Sequence, residues 1–154
     1  KNKTMADLVT TISETVTLNG SLRGSSNSVT TTDIVDVVER ILTCTHSQTT
    51  TIAVFDAFPY SSAGAFDVDR CRYIRVTNLD LVNNIELAIV TTNTNYQVTI
   101  TGGNSHILSL AEAVAIGEED TTPAFGTLEN ITDLQVTPVS VTEDAQVELF
   151  IAFI

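Results

Sequence analysis

Residues Cys71 to Val90, CRYIRVTNLDLVNNIELAIV, constrain the fold more than any other stretch of the chain. In the first half Ile74 and Val76 fall on one face of an extended backbone, while Tyr73, Arg75 and Thr77 fall on the other. In the second half Ile85, Leu87 and Ile89 share a face and Glu86 lies opposite. Alternation with period two is the pattern of a half-buried strand. Between the halves, Asn78-Leu79-Asp80-Leu81-Val82-Asn83-Asn84 holds the Asn and Asp residues whose side chains cap local backbone groups in turns. The expectation is a β-hairpin near the middle of the chain, with the other strands pairing around it.

The remaining candidate strands follow the same rule. Leu8 to Leu18 sets Leu8, Ile12, Val16 and Leu18 on one face, with Glu14 as the exception. Asn19-Gly20 is a tight-turn dipeptide, because both residues accept positive φ. Gly24-Ser25-Ser26-Asn27-Ser28 has loop composition, so Leu18 to Ser28 reads as an exposed excursion. Ile34 to Cys44 is open to two readings. Ile34, Val35, Val37, Val38, Ile41 and Leu42 fit a helical stripe, with Thr32 or Asp33 as cap. Against the helix, five of those six are β-branched and Thr-rich sequence flanks them.

Thr50 to Ala57 reads as a strand and Phe58 to Gly64 as a loop. Tyr96, Val98 and Ile100 alternate with polar residues, Gly102-Gly103-Asn104 turns the chain, and Ser105 to Leu110 returns as a second hairpin. Glu118 to Gly126 reads as an acidic loop, and Ile131 to Thr137 as a strand stopped by Pro138. In Val147 to Ile154, Val147, Leu149, Ile151 and Phe153 form one apolar face, and Phe150 and Ala152 make the other apolar too. Such a strand belongs in the interior of a sheet or under a cover. Eight or nine short strands with turn residues between them predict an all-β, jelly-roll-like antiparallel β-sandwich in one domain over residues 1–154. Residues 1–18 are read as a candidate N-terminal arm.

Composition narrows the partners. The chain of 154 residues is long enough for a core without disulfides or metals, and its net charge is −12. Lys1 and Lys3 are its only lysines, so no large face can neutralise a phosphate backbone, and nucleic acid is not expected as a partner. No apolar run reaches membrane-span length, and no membrane partner is expected. Met5-Ala6-Asp7 resembles an ordinary protein start and no secretory leader pattern is seen, so a reducing compartment is expected.

Catalytic chemistry is not expected, and neither a cofactor nor a metal is called for. His46 and His106 assemble with no evident nucleophile and read as surface or strand-edge residues. Cys44 and Cys71 lack metal-ligand spacing and read as free buried thiols. Asp67-Val68-Asp69 and Glu118-Glu119-Asp120 hold hard oxygen donors without a known loop spacing, and read as solvated acidic loops. Phe55, Phe58, Tyr60 and Phe66 are candidates for core filling, an intersubunit contact or a sugar platform, the last with Asp67.

Met5-Ala6-Asp7-Leu8-Val9-Thr10-Thr11-Ile12, Leu18-Asn19-Gly20 and, above all, Arg72-Tyr73-Ile74-Arg75-Val76-Thr77-Asn78-Leu79-Asp80 resemble small virion structural proteins of tailed bacteriophages, of the marine phage type. The order of a second strand, then Gly102-Gly103 and Ile107-Leu108, matches that group. The resemblance tips Ile34 to Cys44 toward strand. It implies a β-sandwich that decorates or cements a capsid, bound to the major capsid protein and assembled as a homotrimer. The acidity then favours the outer surface of the virion, away from the polyanionic genome. Candidate subunit contacts are Leu8, Ile12, Phe150 and Phe153. The alternative is a receptor- or carbohydrate-binding sandwich of a tail or head fibre.

Overall fold

The computed structural model describes residues 5–118 and 122–154, and all regular structure among them is β. The strands are β1 (Ala6–Ser13), β2 (Val16–Leu18), β3 (Ser21–Arg23), β4 (Ser26–Ile34), β5 (Asp36–Cys44), β6 (Thr50–Asp56), β7 (Phe66–Asp67), β8 (Cys71–Asn78), β9 (Ile85–Thr91), β10 (Asn95–Ile100), β11 (Ser105–Leu108), β12 (Ile131–Pro138) and β13 (Ala145–Phe153). Nine of them form the sandwich: a sheet of order β11-β8-β13-β5 and one of order β10-β9-β12-β6-β7. Setting aside the two-residue β7 and lettering the other eight B to I in chain order gives sheets B-I-D-G and C-H-E-F. That is the winding of a jelly roll. The other four strands, β1 to β4, form two small sheets outside it.

Alternation accounts for the core. Ile74, Val76, Val147, Leu149 and Ile151 point inward from one sheet, and Ile85, Leu87, Ile89, Leu134 and Val136 from the other, all almost wholly buried. Burying each such side chain contributes about 1.5–3 kcal/mol. As expected, β13 is an interior strand, with β8 on one side and β5 on the other. Residues 36–44 are strand, not helix, paired along their whole length with β13. The nine-residue ladder and the β-branched content together outweigh the helical spacing.

Both expected hairpins are corrected. The strands β8 and β9 exist but do not pair: β8 sits between β11 and β13, and β9 between β10 and β12. Each already has a neighbour on both edges, so the connection crosses from one sheet to the other as an arch. Nor do β10 and β11 pair with each other: they are edge strands of different sheets, on β9 and β8 respectively, so their connection is a second arch.

The two arches lock together. Asn78 is fully buried where β8 ends. Its Nδ2 donates to the carbonyls of Asn83 (2.8 Å) and Ile100 (3.1 Å), and its Oδ1 accepts from the Asp80 N–H at 3.1 Å. The Gly103 N–H donates to the Asn78 and Asp80 carbonyls, both at 3.0 Å. Gly102 lies so close that an added Cβ would stand 2.6 Å from the Leu81 carbonyl carbon.

The expected single strand from Leu8 to Leu18 is interrupted at Glu14 and Thr15, giving β1 and β2. The expected loop at Gly24 to Ser28 is also shorter, because Ser26, Asn27 and Ser28 pair with Ser13, Ile12 and Thr11 of β1. Cross-strand pairing there overrides a turn-forming composition.

Candidate interaction surface

Residues 6–34 form one long β-ribbon. The pairing β1–β4 is its stem and β2–β3 its tip, closed by Asn19 (φ 51°) and Gly20 (φ 79°), as the dipeptide predicts. At the junction the Glu14 N–H donates to the Ser25 carbonyl at 2.8 Å. Gly24 has φ 115°, and a Cβ there would meet the Glu14 carbonyl oxygen at 2.0 Å, so only glycine fits. The register puts Leu8, Thr10 and Ile12 on one face of the stem with Thr31, Val29 and Asn27. Leu8, Thr10 and Thr31 on this face are half-buried, whereas Val9, Thr11 and Ser13 on the other face are exposed. Val9, Ile12, Val16, Leu18, Leu22 and Val29 are each more than half exposed. Between Val9 and Thr32 the only charges are Glu14 and Arg23.

The half-buried face looks onto the outer side of the β11-β8-β13-β5 sheet. There Ile107, Arg75 and Phe150 lie in one cross-strand row. Tyr73 meets Phe150 edge-on at 5.9 Å, and the Arg75 guanidinium lies 5.6 Å from the Phe150 ring centre. Arg75 also pairs with Glu148 and donates to Thr77 Oγ1. Between this row and residues 8–12 runs an open groove of about 350 Å³. Of the four candidate contact residues, Leu8, Ile12 and Phe150 line it together. Phe153 instead points into the core, 7% exposed and 5.7 Å from the Phe66 ring. Tyr73, Arg75 and Ile107 were not singled out as contacts, although the alternation of β8 had already placed Tyr73 and Arg75 opposite the core residues.

The polar candidates lie elsewhere. His46 belongs to the turn after β5, and its main-chain N–H donates to Asp144 Oδ1 at 2.9 Å, with Nδ1 2.6 Å from the same oxygen. That N–H, followed by the imidazole, holds the Asp144 carboxyl below its usual range. His106 stands beside Val76 on β11. Its Nε2 is buried with no hydrogen-bond partner among the described residues, and burial lowers its pKa. Cys44 and Cys71 are free, buried thiols. Burial pushes the Cys44 thiol up, and the Cys71 thiol to about 11.

Asp67 accepts from the Tyr60 hydroxyl and the Asp69 N–H, both at 3.1 Å. Tyr60 and Phe58 are exposed and meet edge-on at 5.7 Å, whereas Phe66 turns inward against Phe55 and Phe153. Glu118 accepts from the Ala124 N–H at 3.0 Å, and the rest of its acidic run, Glu119 and Asp120, lies outside the described residues. Comparison with protein-family models, with curated proteins and with solved structures finds no match to this chain.

Proposed function

We propose that the chain is a non-enzymatic virion structural protein, a decoration or cement protein bound to the outer surface of a tailed-phage capsid through the major capsid protein. The observation that carries this reading is the ribbon of residues 6–34, neutral overall from Val9 to Thr32, rich in Thr and Ser and studded with exposed Val9, Ile12, Val16, Leu18, Leu22 and Val29, on a strongly acidic jelly roll. An arm of that kind is built for contact with protein. Jelly rolls serve in viral capsid and lectin domains, which is support by analogy of fold. The sequence resemblance points the same way and supplies the homotrimer. A net charge of −12 favours the solvent side of the shell, because the packaged genome repels it. Cementing then acts through modest contacts repeated over the shell. Reconstruction of a particle carrying this chain is the test: density on the outer capsid face is expected, and density on the inner face or only at the tail tip rejects the reading.

A second reading has one observation in its favour. The exposed pair Phe58 and Tyr60, with Asp67 bonded to the Tyr60 hydroxyl, offers an aromatic face beside a carboxylate, as a sugar-binding fibre domain would. Glycan binding that is lost on Tyr60→Ala would favour it.

A further inference from the structure

We propose that the groove between β1 and the outer face of the β11-β8-β13-β5 sheet is the seat for the arm tip, β2 and β3, of a second copy of this chain. This rests on the reading above and adds to it a contact between copies made by the arm tip.

The arm lacks cover as it stands. A two-stranded ribbon alone is marginally stable in water. Among the described residues β1 pairs only with β4, which leaves one backbone edge of β1 open to another strand. The tip carries Val16, Leu18 and Leu22, all largely exposed. They cannot fill the chain's own groove: β1 forms one wall of it, and the ribbon carries the tip past that wall.

The groove offers what the tip lacks. Tyr73, Ile107 and Phe150 give an apolar floor, and the open edge of β1 gives backbone donors and acceptors alongside. The tip is short: β2 and β3 have three residues each, about 10 Å of two-stranded ribbon.

Charge decides between partners. Two copies at −12 repel except where both surfaces are neutral. Residues 9–32 hold one acid and one base, and the one charge lining the groove, Arg75, is paired with Glu148. A basic partner would find its attraction on the acidic body and nothing to read on the arm. A neutral surface carrying exposed Val16, Leu18 and Leu22 is what the second copy supplies. An arm-to-groove contact is heterologous, and a trimer is the ring it forms when the rotation between copies is threefold.

The test is light scattering on the full chain, alone and as variants. The wild type is expected at two or more times 16.5 kDa. Leu18→Lys/Leu22→Lys removes the tip, and Ile107→Glu removes the floor; each alone is expected at 16.5 kDa. Mixed, they retain one good groove and one good tip and are expected to give a two-chain species. All three residues are exposed, so unchanged circular dichroism and thermal midpoint will show that the body is folded. A monomeric wild type, an assembled tip variant, or a mixture that stays monomeric overturns the proposal. A wild-type monomer that still coats the outer capsid face would sink this contact and leave decoration standing. An assembled chain absent from that face would do the reverse.

Discussion

Replacing Asn78 tests whether the crossed arches hold the jelly roll together. The side chain is fully buried and makes three hydrogen bonds, two donated to main-chain carbonyls and one accepted from a main-chain N–H. Asn78→Ala removes all three, at about 1 kcal/mol each, and leaves main-chain groups short of a partner at a further 1–2 kcal/mol. The sum is about 4–5 kcal/mol, a large share of the roughly 5–15 kcal/mol that holds a domain folded. Urea unfolding followed by circular dichroism measures it. With a slope near 2 kcal/mol per molar, the midpoint should fall by about 2 M. Asn78→Asp provides a control of nearly the same shape. At neutral pH its carboxylate would face two carbonyl oxygens without a donor, so its pKa must rise above the unfolded value of about 3.9. The native state then binds more protons than the unfolded one, and stability rises as pH falls from neutral through the raised pKa. An Asn78→Ala protein within about 0.5 kcal/mol of wild type, or an Asn78→Asp protein whose deficit relative to wild type is no smaller at pH 5 than at pH 7, would refute the reasoning.

Three other outcomes follow from the geometry. Gly102→Ala should lower the urea midpoint by the equivalent of about 1–3 kcal/mol, because its Cβ would press on the Leu81 main chain rather than on a yielding side chain. In a wild-type pH series, Asp56, Asp80, Glu129 and Asp144 all have carboxyl pKa values lowered by hydrogen bonds, so their contribution is present above the usual values of 3.8 to 4.5 and is lost as pH falls through the lowered ones. His106, lowered by burial, adds an earlier decline that begins below pH 6.5, and His106→Gln should flatten that part of the curve. Thiol titration should find neither Cys44 nor Cys71 reactive in the native protein at pH 8 and both reactive in denaturant without reductant, since both are free and the Cys71 thiol titrates near 11.

Strand existence was legible in the residues, and strand partners were not. Period-two alternation says which side chains face inward, and it did so correctly for Ile74, Val76, Ile85, Leu87 and Ile89. It says nothing about which sheet a strand joins. A hairpin and an arch bury the same alternating set, one within a sheet and the other across the core. The distinguishing mark is the polar residue at the crossing. In an exposed hairpin loop Asn78 would be solvated, whereas here its amide is used up on three main-chain partners. From sequence an Asn before a turn reads the same either way. Residues 26–28 failed for the related reason that Ser and Asn pair with β1 when a partner strand is supplied.

The surface was legible to the extent that apolar side chains were left over after the core was assigned. Leu8, Ile12 and Phe150 satisfy that test and meet at one groove. Phe153 does not, and alternation alone separates it: it shares a face with Val147, Leu149 and Ile151, while Phe150 lies opposite. A strand apolar on both faces needs two covers. For β13 the opposite sheet covers the inner face completely. The outer face receives the β1–β4 stem, which leaves a groove open beside Phe150. Ala152, on that outer face, is already fully buried, and Phe150 is still half-exposed. Cover therefore fails along the Ile107–Arg75–Phe150 row, while a ribbon with six exposed apolar side chains, Val9, Ile12, Val16, Leu18, Leu22 and Val29, begins at the wall of the same groove. A shortage and a surplus of the same chemistry, on one neutral strip of an acidic molecule, are each met when one copy supplies the ribbon and the next supplies the row.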